Sequence, residues 1–148
     1  MAWMVVRVRG SIHARHDIVQ TLHDLHLTRP NHATILPEAP AMRGMLNAVQ
    51  GYVTWGEVDQ PTVELLLKER GERPVGGRLT SPEGPAAELP KLAEAALTAG
   101  SLQLPGVRPV FRLKAPKGGW RSTKKPFANG GALGYRGKAI NDLAKRMV

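Results

Sequence analysis

Over its first 58 residues the chain alternates between a two-residue and a 3.6-residue apolar spacing, and that alternation leaves few folds open. In "WMVVRVR", Met4, Val6 and Val8 fall on one face, with Arg7 and Arg9 on the other, the pattern of a half-buried strand. From His13 to Leu25, Ile18, Leu22 and Leu25 recur at i, i+4 and i+7, which predicts an amphipathic helix. "HATILP" is a second strand, stopped by Pro37. "PAMRGMLNAV" returns to helical spacing through Met42, Met45, Leu46 and Val49, with Pro40 in the first turn and Gly51 past the end. "YVTWGEV" is a third strand. Short connections between such elements point to an α/β (α+β) fold: a two-layer βαβαβ core with helices packed on a small sheet.

The periodicity continues beyond residue 58. "QPTVELLLKERG" predicts a third helix with Val63, Leu66 and Leu67 inward and Gly71 at its end. Residues 72–87 are rich in Gly and Pro and predict a loop, and Pro90 to Ala99 predict a fourth helix. "PVFRLK" is a further strand of ambiguous burial. "GKAINDLAKRMV" predicts a closing helix with Ile140, Leu143, Ala144 and Met147 buried, and Asp142 placed to pair with Lys145 and Arg146. A chain of 148 residues suits a single domain, here a core at 1–58 and a helical and basic-loop extension at 59–148. At that size roughly 70% of the unfolded surface can be buried without a metal or disulfide. The absence of cysteine excludes a disulfide framework, Cys-ligated zinc and thiol catalysis. With no secretory signal and no apolar run near the ~18 residues of a membrane span, a soluble, cytoplasmic protein without membrane partners is expected.

Charge separates the two halves. Residues 1–100 hold 10 Lys and Arg against 11 Asp and Glu, whereas residues 101–148 hold 11 against one, Asp142. A local excess of this kind suits a patch that meets a polyanion. It concentrates in the loop 114–137, above all in "KAPKGGWRSTKKPFANGG", which has five cations, no carboxylate and four glycines. Lys114, Lys117, Arg121, Lys124 and Lys125 are candidates to neutralise phosphates. Gly118, Gly119, Gly130 and Gly131 let backbone approach a ligand closely. Trp120 offers a face for stacking on an unpaired base, or else folds back on the core. Arg136 and Lys138 stand before the last helix, where phosphate is favoured. Arg7, Arg9 and Arg43 are second-rank candidates on the core. A duplex-DNA protein would want a basic helix for the major groove, and here the cations lie in a loop.

Other chemistry has less support. His13, His16, Asp17, His23 and Asp24 share an exposed helix face, but one such face presents two metal ligands rather than three or four. "GALGYRGKA" approaches a phosphate loop, yet Ala132 and Ala139 stand where glycine and a hydroxyl are required. A small phosphorylated ligand at Gly131–Lys138 is the alternative to RNA. Glu57 and Asp59 precede Pro61, where negative charge suits a helix start. No catalytic constellation stands out, and no cofactor is expected.

Two stretches carry a resemblance. "RPNHATILPEAPAMRGMLNAVQGYVTWGEV", Arg29 to Val58, resembles the large-subunit ribosomal protein family numbered thirty in bacteria and seven in eukaryotes. Its marks are Asn31, the strand "HATILP" and "PAMRGML" opening the second helix. "FRLKAPKGGWRSTKKPFANGGALGYRGKAINDLAKRM" is similar to the C-terminal region of the long archaeal and eukaryotic members. The resemblance implies a structural component of the large subunit with no enzymatic activity and no cofactor. It implies a monomer within the ribosome that binds ribosomal RNA beside neighbouring ribosomal proteins. On matching positions it points to Arg43 and Gly44 at the second helix, and to Lys114, Lys117, Gly118 and Gly119 in the loop.

Overall fold

A computed structural model of the chain describes residues 2–10, 12, 14–71, 93–96, 98, 110–120 and 122–148. Three strands and three helices alternate first: β1 (Ala2–Arg7), α1 (His16–Asp24), β2 (His32–Pro37), α2 (Pro40–Ala48), β3 (Val53–Glu57) and α3 (Gln60–Arg70). Later come β4 (Phe111–Arg112), a 3₁₀ turn (Phe127–Asn129), β5 (Gly134–Tyr135) and α4 (Ala139–Met147). The βαβαβ core and the helices at both predicted ends of the extension are therefore present. Residues 93–96 are helical, within the fourth helix the sequence suggested. The loop expected at 72–87 and the predicted positions His13 and Arg121 lie outside the described residues.

The five strands form one sheet in the order β4-β2-β1-β3-β5. β1 is central and antiparallel to both neighbours, so that Met4 lies opposite Ile35 on one side and Gly56 on the other. β4 adds to β2 antiparallel, while β5 adds to β3 in parallel. A parallel neighbour needs a long crossover. Here that crossover carries α3 and the basic loop.

Each face of the sheet has its own helices. Trp3, Val5, Val53 and Trp55 pack with Leu22 and Leu25, Leu27 just beyond α1, and Leu46 of α2. Met4, Val6, Ile35 and Phe111 pack on the other side with Val63, Leu66 and Leu67 of α3, Ala93 and Ala96, and the α4 stripe. The core's two helices thus share one face, as a two-layer core requires, and the extension adds a layer on the other. This corrects one expectation: β1 is buried along its whole length rather than half-buried. Alternation cannot reveal a second apolar layer supplied from more than 50 residues away. Ile140, Leu143 and Met147 of α4 are fully buried. Each such side chain contributes about 1.5–3 kcal/mol relative to exposure. The ion pairs expected from Asp142 to Lys145 and Arg146 are absent among the described residues, and the stripe alone seats α4.

Three local features fix the element ends. α1 stops in a left-handed cap: His26 N–H donates to His23 O and Leu27 N–H to Leu22 O, with Leu27 and Leu22 buried together. The left-handed residue, His26 (φ 62°), occupies a position that usually holds glycine. Asp59 caps α3 by accepting from Thr62 N–H at 3.0 Å, which explains a carboxylate ahead of Pro61. Asn141 joins β3 to α4. Its amide oxygen accepts from Asp59 N–H at 3.0 Å and its amide nitrogen donates to Glu57 O at 3.2 Å. Where α4 begins, Gly137 O presses on Gly56 so closely that a Cβ at residue 56 would overlap it.

His26→Gly is expected to raise stability by about 0.5–1 kcal/mol by relieving the left-handed cap, read from urea unfolding midpoints. Gly56→Ala is expected to cost about 1–3 kcal/mol or more, because backbone rather than a flexible side chain must yield. A midpoint unchanged by Gly56→Ala would contradict the contact of β3 with the start of α4.

Candidate nucleic-acid interface

The basic loop leaves β4 and is tied at once to the far end of α4. Leu113 N–H donates to Asn31 O, Lys114 N–H to Met147 O at 3.0 Å and Lys117 N–H to Arg146 O at 3.0 Å. Carbonyls at a helix end have no partner within the helix, and here the loop backbone supplies one. Pro116 to Gly119 then form a turn, with Gly119 N–H on Pro116 O and both Gly118 (φ 82°) and Gly119 (φ 73°) left-handed. Lys117 stands at its apex, exposed.

The rest of the loop closes on itself. Ala132 N–H donates to Ser122 O, Leu133 N–H to Lys125 O and Gly131 N–H to Pro126 O, and Gly130 N–H ends the 3₁₀ turn on Phe127 O. Gly130 is left-handed, and Gly131 lies against Lys125 O with no room for a Cβ. Trp120 is half-buried, packed between the main core and a small cluster of Val8, Ala132 and Leu133. Packing on the core, one of the two arrangements the sequence offered for it, is thus present in the fold.

The backbone carries this loop, and its lysines do not. Lys114, Lys117, Lys124, Lys125 and Lys138 are exposed, and none is ion-paired among the described residues. Lys114 and Lys117 lie by the end of α4 beside exposed Lys145 and Arg146. Lys138 is at its start, roughly 13 Å away for nine residues at 1.5 Å each. Lys124 and Lys125 precede the 3₁₀ turn.

Two arginines, Arg7 and Arg136, are buried where the sequence alone suggested exposed cations. Arg7 is only 3% exposed, its guanidinium donating to Leu27 O at 2.8 Å and to Arg9 O at 2.9 Å, and burial lowers its pKa. It holds the end of α1 to the sheet. Arg136 is also buried, donating to the Thr54 hydroxyl at 2.8 Å and to Ala132 O at 2.9 Å, with its guanidinium 4.8 Å from the Phe127 ring centroid. The start of α4 is likewise occupied: Ala139, Ile140 and Asn141 N–H groups donate to Arg136, Gly137 and Lys138 carbonyls. A small phosphorylated ligand at Gly131–Lys138 would find those donors taken. Arg9 is exposed, 5.5 Å over the Tyr52 ring. Arg43 is exposed on α2, and with Asn47 and, beyond the helix, Gln50 it borders a groove of about 530 Å³ facing Trp3, Trp55 and Tyr135. In that groove the Tyr135 hydroxyl donates to Glu57, which holds the phenol protonated above its ordinary range.

The loop cations, Arg9 and Arg43 therefore form an interrupted surface rather than one converging site. Sequence reasoning passed over Arg112, Lys145 and Arg146, all exposed beside the loop. The alternation of Arg112 with buried Phe111 and Leu113 was the available signal. Among the described residues, no three His, Asp or Glu side chains converge as metal ligands, and no helix is long and apolar enough to cross a membrane.

Comparison with known proteins agrees with the resemblance seen in the two sequence stretches. The family described as Ribosomal protein L30p/L7e matches residues 3–53. The chain is 38% identical to the large ribosomal subunit protein uL30 of Methanosphaera stadtmanae over 99% of both chains. It is 42% identical to the uL30 protein of Korarchaeum cryptofilum, over 97% of this chain and 93% of that one. Against the uL30 protein of Methanococcus vannielii it is 44% identical over the full length of both. With end-to-end similarity at this level and the βαβαβ core in place, the chain belongs to the ribosomal protein L30p/L7e family.

Proposed function

We propose that this chain is a structural constituent of the large ribosomal subunit, in the cytoplasm, that binds ribosomal RNA through the loop 114–137 and stabilises the RNA fold during assembly and translation. It does so as a single-domain monomer among neighbouring ribosomal proteins, without catalysis or cofactor. One observation carries the reading: a loop fastened by backbone hydrogen bonds leaves Lys114, Lys117, Lys124 and Lys125 exposed and unpaired among the described residues. Cations that the fold does not use, gathered on one segment, are what a phosphate backbone requires.

Exposure and hydrogen bonding support a division of labour. Lys114, Lys117, Lys124, Lys125 and Lys138 neutralise phosphates, with Arg121 a further candidate outside the described residues. The turns at Gly118–Gly119 and Gly130–Gly131 bring loop backbone near the RNA. Arg136 and Trp120 hold the loop in shape from inside, Arg7 steadies the core, and Arg9 and Arg43 give secondary contacts.

If six or more phosphates are neutralised, affinity for in vitro transcribed large-subunit RNA falls by roughly 10³ or more between 50 and 200 mM salt. A flat salt response contradicts the proposal. Replacing Lys117, Lys124 and Lys125 together with Ala is expected to weaken binding while leaving the circular dichroism spectrum and melting temperature unchanged. The slope of log affinity against log salt should fall by about 2–3. Loss of folding in that variant would instead assign these lysines to the core. In sedimentation the protein should travel with the large subunit and leave it at high salt.

A further inference from the structure

We infer that Thr28, Arg29, His32 and Arg112 form a preorganised niche for one RNA phosphodiester group at the root of the basic loop, an inference that rests on the RNA-binding reading above. These four side chains line a cavity of about 320 Å³. Among the described residues they bring to it two guanidiniums, an imidazole and a hydroxyl, with no carboxylate. Arg29 and Arg112 are exposed, and Arg29 has no ion pair among the described residues.

The niche is built by the backbone. His32 N–H donates to Arg29 O at 3.3 Å, closing a turn with Pro30 second and Asn31, at φ 68°, third, the pattern of a type II turn. Asn31 clamps that turn on both sides: its N–H donates to Arg7 O at 2.8 Å and its carbonyl accepts from Leu113 N–H at 3.3 Å. The first and last residues of the turn are thereby set against β4, where His32 and Arg112 are cross-strand partners. Two guanidiniums lining one cavity make that lining positive, and guanidinium geometry suits phosphate oxygens. Arg112 lies two residues before Lys114, so the niche extends the cationic surface of the loop onto the otherwise neutral N-terminal half.

The test uses the full chain, in vitro transcribed large-subunit RNA and the double variant Arg29→Gln/Arg112→Gln. Expected is a salt slope smaller by about 1 and an affinity lower by roughly five- to tenfold at 0.1 M salt. Arg29→Lys/Arg112→Lys, which keeps the charges, should retain the slope. If the glutamine pair fails to fold, Arg29→Gln alone, on an exposed side chain, must show the same direction. Wild-type binding with an unchanged slope in the variant, while the loop lysine variant weakens it, overturns the niche and leaves the RNA reading standing. Absence of salt-dependent binding by the wild type overturns both. Unchanged RNA binding with millimolar inorganic phosphate shifting the His32 resonances would mark a free-phosphate site and overturn the RNA assignment. Unchanged RNA binding with lost co-sedimentation would likewise overturn it in favour of an acidic protein neighbour.

Discussion

The structure depends on the double burial of β1. Its backbone pairs with β2 and β3 on its two edges, and its side chains are covered on both faces. A strand in that position demands two helical layers, and α1 with α2 can supply only one. The second comes from α3 and α4, which is why these two helices belong to the same hydrophobic core rather than to an appendage. Polar groups caught in this arrangement must find partners inside it. Arg7 does so through two backbone carbonyls, because an unpartnered buried charge would be far more costly than a hydrogen-bonded one.

That core also determines how the basic loop is held. Both limbs of the loop end on elements of the second layer or on the sheet edge: the outgoing limb on the last carbonyls of α4, the returning limb on β3 through β5. Between them, backbone-to-backbone bonds, Trp120 and the buried Arg136 set the shape. The fold thus separates two tasks that compete in most loops. Internal groups maintain conformation, and the lysines remain outside it.

Much of this was legible in the chain. The strands around Val5, Ile35 and Trp55, and the helices around Leu46, Leu66 and Leu143, follow from apolar periodicity, since short elements with one buried stripe announce themselves locally. The partition of charge at residue 100 likewise pointed to the loop. What escaped the sequence was tertiary in origin. Arg7 occupies the polar phase of an alternating strand, yet the segment just beyond α1 folds over it and Leu27 O accepts its guanidinium. Arg136 stands among glycines that suggest a phosphate cradle, yet it turns inward to Thr54 and Ala132. The cavity that Arg29 and Arg112 both line joins residues 83 positions apart through a turn and the His32–Arg112 strand register, which no local pattern encodes.

The attachment of the loop to the last carbonyls of α4 has an electrostatic consequence. Peptide dipoles along a helix sum to roughly half a negative charge at its C-terminal end. That end lies beneath Lys114 and Lys117 and carries Lys145 and Arg146 in its final turn. The mutual repulsion of four cations is therefore partly offset by aligned peptide groups. A carboxylate would compete with an incoming anion for the same positive groups, whereas a dipole terminus pointed at them from below lowers the energy of the cluster and leaves its outer side unneutralised.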